Sequence, residues 1–340
     1  MRKICLNYIF LFLLLTPFVF NYQADVSSYS LLLGKIRFNQ VSSAISYLPQ
    51  RDKVNILQMC IQMRNAKNDY QLTTEETAYL IFKWISQNIE VDCDDYSGIY
   101  QSALTTYNSG KGGFVGISNL FLTMCLRLNI HSELVNGFVK SMKNSDGKVI
   151  AEEEHVWNAI MINDTYYLVN PTLGAGTCGV DGYIKKYNMF YFATKPEYFI
   201  RTHYPVLGYY QLLDNPISHK QFQSMAFLRH FFYYNGFETV DPDTNTISLK
   251  DDSTLNLTYD KSNEDLTLTV KYITFDGSDY NYHQYNDFSY SDGVVEISLD
   301  LGKYSSEICG LIVYAGSDTS DSTTYSIALF NVIYDSSKDS

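Results

Sequence analysis

Two short apolar segments, HVWNAIMI at 155–162 and TYYLVNPT at 165–172, lie on either side of the pair Asn163-Asp164. Segments of this length around a two-residue turn predict a β-hairpin. In an antiparallel pairing centred on the turn, the numbers of facing residues sum to about 327, and those of His155 and Asn170 sum to 325. The hairpin therefore brings an imidazole within about one cross-strand step of a carboxamide.

A glycine-rich segment upstream of the hairpin, GKGGFVGISNLF at 110–121, leads into a predicted amphipathic helix. A strand is predicted to follow at 131–139. A second helix is predicted to start at Thr73, because Thr73 and Glu76 have the spacing of a capping box. Residues 26–68 are also predicted to be helical. Two tryptophans are predicted to pack in the core: Trp84 and Trp157. In the amphipathic helix that follows the glycine-rich segment, apolar residues recur at three- and four-residue spacing: Ile117, Leu120, Phe121, Met124, Cys125 and Leu128.

The sequence changes character near residue 236. Apolar and polar residues then alternate in short segments that start at 255, 266, 294, 309 and 326, which predicts a β-sandwich. Residues 236–340 contain 19 Asp and Glu against five Lys, a net charge of −14, whereas residues 1–235 carry +2. These shifts predict a boundary between a domain at 25–235 and an acidic Ig-like β-sandwich at 236–340.

Composition also limits the classes of ligand. The net charge is −12, and a nucleic-acid-binding protein needs a Lys/Arg-rich surface, so no nucleic-acid partner is expected. The absence of a CxxC pair argues against zinc. Asp241, Asp243, Asn245 and Asp252 have the spacing of a calcium loop, but Thr246 stands where that loop needs Gly, so a polar turn is favoured. No metal and no cofactor are predicted.

The N-terminus predicts export. Arg2 and Lys3 precede an apolar segment of 13 residues at 8–20, a length typical of a secretory signal peptide, here assigned to residues 1–24. An uncleaved anchor is the alternative. No later apolar segment in the sequence is long enough to cross a bilayer, so the expected location is secreted or lumenal. Two N-glycosylation sequons agree with export: Asn163-Asp-Thr165 and Asn256-Leu-Thr258.

Five cysteines remain after residue 24, an odd number at irregular spacing, so the chain is not a disulfide scaffold. Cys60 and Cys125 fall in predicted helices, where they are expected to be small buried hydrophobic residues. Cys93 and Cys178 lie in loop-like segments. They are the pair that could form a disulfide in an oxidising compartment.

Four segments of the chain carry a family resemblance: FKWISQNIEVD at 82–92, GKGGFVGISNLFLTMC at 110–125, HVWNAIMINDTYYLVNPTLGAG at 155–176 and HYPVLGYYQLLDNPI at 203–217. Together they resemble the transglutaminase-like superfamily, and most closely its kyphoscoliosis-peptidase type. Tyr210 stands where the family usually has Trp. The resemblance implies a papain-like core of helices packed on an antiparallel sheet. It also implies transglutaminase or peptidase chemistry at a Cys-His-Asp site.

This chain departs from the implied catalytic site at two positions. Phe114 occupies the position of the nucleophilic Cys, His155 matches the His, and Asn170 replaces the Asp. Cys125 lies 11 residues after Phe114, which moves its sulfur roughly 16 Å along the helix. An aryl ring cannot form a thioester, whereas an Asn carbonyl can still orient an imidazole. The site is therefore predicted to be inactive.

The preferred hypothesis is an exported α+β pseudoenzyme whose former substrate cleft and β-sandwich bind a protein or glycan partner. The alternative is an active hydrolase or acyltransferase with a non-Cys nucleophile near His155, for which Ser118 is the candidate. A third hypothesis is a structural surface protein in which the sandwich alone binds. Aromatic residues at 272–290 could form a contact surface, although the 30 Tyr of the chain make a general bias the simpler explanation. The identity of the partner stays open.

Overall fold

The computed structural model of the protein describes residues 30–94, 101–142, 149–179, 182–248, 254–260, 266–276, 279–301, 308–317 and 325–333. The predicted signal segment at 1–24 lies outside these ranges. The α-helices are, in chain order: α1 (Phe38–Ser46), α2 (Ile56–Asp69), α3 (Thr74–Asn88), α4 (Ala103–Ser109), α5 (Phe114–Arg127), α6 (Pro171–Ala175), α7 (Pro196–Phe199), α8 (His219–Ser224) and α9 (His230–Tyr234). The strands are: β1 (Glu90–Val91), β2 (Lys111–Gly112), β3 (His131–Met142), β4 (Val149–Ile162), β5 (Thr165–Val169), β6 (Gly176–Gly179), β7 (Gly182–Lys185), β8 (Phe192–Thr194), β9 (His203–Pro205), β10 (Phe227–Leu228), β11 (Phe237–Asp241), β12 (Thr246–Ser248), β13 (Thr254–Tyr259), β14 (Leu266–Phe275), β15 (Tyr280–Tyr285), β16 (Phe288–Ser291), β17 (Val294–Ser298), β18 (Ile308–Ser317) and β19 (Tyr325–Ile333).

The region predicted to be helical at 26–68 contains two α-helices with an interruption between them. Pro49 lies between α1 and α2, and a proline disfavours a helical conformation for the residue before it. Helix α2 starts at a capping box, in which Oδ1 of Asn55 accepts the N–H of Gln58 at 2.9 Å. The prediction is therefore correct for α1 and α2 and wrong for residues 30–37 and for the segment that joins the two helices.

Helix α3 begins with the predicted capping box. Oγ1 of Thr73 accepts the N–H of Glu76 at 3.3 Å, and Oε2 of Glu76 accepts the N–H of Thr73 at 3.0 Å. The buried Glu76 also accepts two hydrogen bonds from the Arg37 guanidinium, at 2.7 and 2.6 Å. Trp84 is 2% exposed and stacks on Tyr107. The start of α3 and the core position of Trp84 are confirmed.

Strands β3, β4, β5, β8 and β9 form an antiparallel sheet in the order β8-β5-β4-β3-β9. In its β4-β5 hairpin, Asn158 faces Val169 and Ile162 faces Thr165, so the numbers of facing residues sum to the predicted 327. Asn163 and its neighbour Asp164 form the turn with φ of 50° and 60°. The predicted hairpin and its register are confirmed.

Helix α5 packs on this sheet. Oγ of Ser118 donates to the carbonyl of Val156 at 3.0 Å, and Nδ2 of Asn158 donates to the carbonyl of Ser118 at 3.1 Å. Trp157 is fully buried. The predicted core of helices against an antiparallel sheet is therefore confirmed.

Strand β5 ends at Val169, three residues before the end of the predicted strand. Asn170 is the N-cap of α6, since its Oδ1 accepts the N–H of Leu173 at 3.1 Å. Pro171 occupies the first helical position, where a missing N–H costs no hydrogen bond. The prediction of a strand through residue 172 is wrong, because these two residues start a helix.

The C-terminal strands form two packed sheets. One has the order β10-β19-β18-β14-β15 with β12 beside β19, and the other has the order β11-β13-β17-β16. Alternate residues face the interior, for example Leu255 and Leu257 of β13 with Val295 and Ile297 of β17, all fully buried. The predicted β-sandwich is confirmed.

The sandwich touches the first sheet at the start of β4. The N–H of Val149 donates to Oδ1 of Asn331 on β19 at 2.9 Å. Strand β10 also pairs with β19, although it lies before residue 235. The domain boundary at 235/236 stays a prediction, and the hydrogen-bonded sheet extends across it.

The calcium-like segment forms a turn held by an ion pair. Asp243 pairs with Arg201 at 2.6 and 2.8 Å and accepts the N–H of Ala226 at 3.0 Å. Asp252 lies outside the described residues. Within the described ranges, no group of three His, Cys, Asp or Glu is placed to hold a metal ion. No helix in the same ranges is both long and apolar enough to cross a membrane.

Candidate functional site

His155, Asn170 and His203 form a buried polar cluster where β4, α6 and β9 meet. Nδ2 of Asn170 donates to Nε2 of His155 at 3.0 Å and to Nε2 of His203 at 2.9 Å. The exposed fractions of His155, Asn170 and His203 are 9%, 0% and 1%. The contact of His155 with Asn170 agrees with the hairpin register. The second imidazole, His203, was not predicted.

The cap of helix α6 fixes which end of the Asn170 amide faces the imidazoles. Oδ1 accepts the N–H of Leu173, so the oxygen points to the helix and the nitrogen points to the two rings. An amide nitrogen only donates, so both Nε2 atoms must be unprotonated acceptors. The expectation that the Asn170 carbonyl orients His155 is therefore wrong, because α6 already uses that carbonyl.

Both imidazoles are neutral at pH 7. Burial lowers the pKa of His155 to about 4. Burial also lowers the pKa of His203 well below its ordinary value, and the neighbouring His155 adds to this effect. Nδ1 of His203 donates to Oγ1 of Thr202 at 2.7 Å. In each neutral ring, the proton is therefore on Nδ1 and Nε2 accepts from Asn170.

Phe114 is the first residue of α5, and its ring lies against His155. The two ring centroids are 5.1 Å apart, with an angle of 38° between the ring planes. The Phe114 side chain is half-buried. An aromatic ring therefore occupies the space between the N-terminus of α5 and the imidazole.

Two other nucleophilic side chains of α5 point elsewhere. Cys125 is fully buried, and burial raises the pKa of its thiol well above the ordinary value. Ser118 is also fully buried and donates its hydroxyl to the backbone carbonyl of Val156. This geometry does not support Ser118 as a nucleophile that His155 could activate.

A cavity of about 370 Å³ borders the polar cluster. Its volume lies in the range of small-molecule sites. Phe114, His155 and His203 contribute to its wall from the first sheet and its helices, and Phe227 and Leu329 contribute from the sandwich. The sandwich is therefore part of the candidate site.

A disulfide between Cys93 and Cys178 borders the same cavity, which Cys178 lines. It joins the segment after β1 to β6, with the two Cα atoms 5.6 Å apart. The pairing predicted from their loop-like surroundings is confirmed. Cys60 and Cys125 are buried free thiols, as expected.

Among the wall residues that sequence reasoning missed, four have basic side chains. His203 begins one of the four segments that carry the family resemblance, so the sequence contained a signal for it. Lys140, Arg229 and His230 also line the cavity. They belong to no motif, and only the packing of the sandwich against the first sheet brings them together.

Comparison with known families agrees with this geometry. Residues 59–171, which include α5 and the hairpin from His155 to Asn170, match the family model of the transglutaminase-like superfamily. The chain contains a transglutaminase-like domain. The wall residues His203, Phe227 and Leu329 lie beyond the matched part of this domain.

The transglutaminase-like domain also has curated relatives. "Kyphoscoliosis peptidase" of Mus musculus is 31% identical over 183 residues, which are 51% of this chain and 27% of that protein. "Hillarin" of Drosophila melanogaster is 24% identical over 246 residues, 67% of this chain and 29% of that protein. The chain thus spans less than a third of the length of these relatives. A solved "TGase" structure covers 46% of this chain and 37% of its own chain, at 14% identity and a TM-score of 0.27.

Proposed function

We propose that this protein is an exported, non-catalytic transglutaminase-like protein whose cavity and β-sandwich bind a protein or glycan partner. The observation that carries the proposal is the ring of Phe114, 5.1 Å from the ring of His155 at the start of α5. The family resemblance assigns this position to the nucleophilic Cys. A phenyl ring has no atom that can attack an acyl carbon, so covalent catalysis of the family type has no nucleophile here.

The state of His155 supports the same conclusion. A general base needs an unprotonated nitrogen that faces the nucleophile and a pKa near the working pH. Nε2 of His155 already accepts from Asn170, and its Nδ1 carries the proton. Burial also lowers the pKa of His155 to about 4. An Asp at position 170 would instead accept from Nε2–H and leave Nδ1 free as a base.

The cavity supports a binding role. It is large enough for a small ligand, and its wall combines apolar side chains with convergent polar groups, as ligand sites do. The sandwich offers a second surface, on which Tyr282 and Tyr290 are about half exposed. Exposed tyrosines are common in protein contact surfaces.

Two observations support export. The disulfide between Cys93 and Cys178 is of a kind that persists in oxidising compartments. The sequon residue Asn163 lies exposed in the hairpin turn, where a glycan fits without disturbing the sheet. Expression in a secreting eukaryotic cell tests this part. Product in the medium, with a mass that falls on enzymatic removal of N-glycans, is expected. Retention inside the cell would contradict it.

Activity assays test the absence of catalysis. The purified chain is incubated with a labelled primary amine and a glutamine-containing protein, and separately with a peptide library. No amine incorporation and no cleavage above the buffer background are expected. The proposal would be overturned by turnover that is lost in the His155→Ala variant and kept in the His131→Ala variant. His131 is the control because its imidazole is exposed.

A further inference from the structure

The cavity wall carries basic side chains although the chain as a whole is acidic. Lys140 and Arg229 line the cavity, in a chain of net charge −12. Asp92 is the acidic residue among the described wall residues, and it pairs with Lys111 at 2.9 Å. Basic side chains therefore outnumber acidic ones in this wall, unlike in the whole chain.

The two wall cations are held by neutral groups. Lys140 is 5% exposed, and its Nζ donates to the carbonyl of Met225 at 2.5 Å. The guanidinium of Arg229 donates to the hydroxyl of Ser326. Within the described ranges, neither cation has a carboxylate at salt-bridge distance. Asp243 acts on Lys140 from farther away, but it is paired with Arg201.

Burying a cation without an anion is unfavourable. Lys and Arg are rarely buried unless they are paired, because desolvation of each ion costs several kcal/mol. Burial lowers the pKa of Lys140 to about 7, and it also lowers the pKa of Arg229. An anion in the cavity would offset this cost for both side chains.

A third wall residue points to a ligand independently of charge. Thr172 is 4% exposed and lines the cavity. Its hydroxyl oxygen has no hydrogen-bond partner among the described residues. A buried hydroxyl without a partner is costly, and the oxygen of an anionic ligand would accept its proton.

We propose that the cavity binds a small organic anion, namely a carboxylate or phosphate monoester on a body about the size of one ring. The Arg229 guanidinium offers the forked donors that match either anion, and an anion nearby would favour the charged form of Lys140, which then adds a second cation. Phe114, Leu173 and Phe227 supply apolar wall for the body of the ligand. This inference rests on the proposed function, because it treats the cavity as a binding site.

Calorimetric titration of the full chain tests the proposal. The probes are phenylacetate, phenyl phosphate and glucuronate, with uncharged phenylacetamide as the control ligand. At least one anion is expected to bind with a Kd of about 1 mM or tighter, and about tenfold or more tighter than phenylacetamide. The order of the three Kd values shows whether the cavity prefers an aromatic acid, a phosphate ester or an acidic sugar. Equal binding of phenylacetate and phenylacetamide, with no binding of the other anions, overturns the proposal.

Variants locate the anion. Arg229→Gln and Lys140→Met are each expected to weaken anion binding about tenfold or more, because each removes one partner of a buried ion pair. Lys53→Met removes the same charge from an exposed side chain outside the wall and is expected to leave binding unchanged. Unchanged affinity in a folded Arg229→Gln protein overturns the proposal. The comparison of phenylacetate with phenylacetamide uses the unaltered chain, so it still tests anion binding if a variant does not fold.

The activity assay separates this inference from the proposed function. Turnover that depends on His155 would overturn the proposed function, whatever the cavity binds. Absence of both turnover and anion binding would overturn the present inference alone.

Discussion

Asn170 holds His155 through its amide nitrogen, at 3.0 Å from Nε2, while its amide oxygen caps the helix that follows. One side chain thus ends a strand, starts a helix and sets the tautomer of an imidazole. A carboxylate in the same place could accept from both the helix and the ring. In the proposed assignment, an exchange of Asp for Asn at this position is therefore not neutral, because the amide oxygen that could orient the imidazole is already engaged by the helix.

In the proposed assignment, the two departures from the implied catalytic site reinforce each other. Phe114 would take the place of the nucleophile, and Asn170 keeps the neighbouring imidazole in the tautomer that cannot serve as base at Nδ1. Burial lowers the pKa of His155, and among the described residues no carboxylate opposes this effect. Restoring one position alone is therefore expected to restore only part of the chemistry.

Asn170→Asp is expected to raise the pKa of His155 from about 4 by about 1 to 3 pH units. The new carboxylate accepts from Nε2–H and stabilises the imidazolium. NMR titration of the imidazole nitrogens measures both the pKa and the tautomer. Asn163→Asp, in the exposed hairpin turn, is the matched control and should change neither. An unchanged tautomer in the Asn170→Asp protein would show that the amide does not set it.

Phe114→Cys is expected to create a thiol that an electrophilic probe can label. With Asn170→Asp added, His155 can act as a base toward this thiol, so labelling at pH 6 should be about tenfold faster or more than in the single variant. Mass spectrometry of the peptide that contains residue 114 measures the rate. It also separates this label from any on the native cysteines.

Val115→Cys is the control for Phe114→Cys, because it places a thiol one residue later on the same half-buried turn. Its labelling rate should not respond to Asn170→Asp. Failure to label residue 114 in the folded protein would mean that the cavity beside His155 is closed in solution. Equal rates in the single and double variants would mean that His155 does not reach position 114.

The hairpin could be predicted from the sequence because its causes are local. A two-residue turn fixes the register, so the contact of His155 with Asn170 follows from their numbers alone. The orientation of the Asn170 amide could not be predicted, because the N-cap of α6 lies in a segment whose sequence pattern predicts a strand. The roles of Lys140 and Arg229 depend on how two distant sheets pack, and no local pattern records that.

Glu76→Gln is expected to lower the free energy of unfolding at pH 7 by about 1–3 kcal/mol, because the buried Glu76 carboxylate accepts hydrogen bonds from Arg37 and Thr73 and an amide is a weaker acceptor. Burial opposes the charged form of Glu76, but the hydrogen bonds from Arg37 and Thr73 outweigh it and lower the pKa to about 2. Urea denaturation measures the effect. Glu75→Gln, one residue earlier on α3, is the control and should have little effect.

The stability that Glu76 provides should depend on pH in a defined direction. Its pKa is about 2 in the folded chain and about 4.3 in an unfolded chain, so the stabilisation is complete above the unfolded value. It is then lost as the pH falls through 4 toward 2. The difference between the unaltered chain and Glu76→Gln should therefore shrink between pH 6 and pH 3. A constant difference over this range would contradict the assigned ion pair.

Replacing both Cys93 and Cys178 by Ser is expected to destabilise the protein by about 2–5 kcal/mol, because the bridge closes a loop between residues 85 positions apart. Binding of the anionic probes should weaken as well, since Cys178 and Asp92, next to Cys93, line the cavity. Urea denaturation and titration with phenylacetate measure the two effects. Cys60→Ala is the control: it is expected to destabilise the core while leaving the affinity unchanged. Full affinity in the Ser variant would show that the bridge stabilises the fold without shaping the cavity.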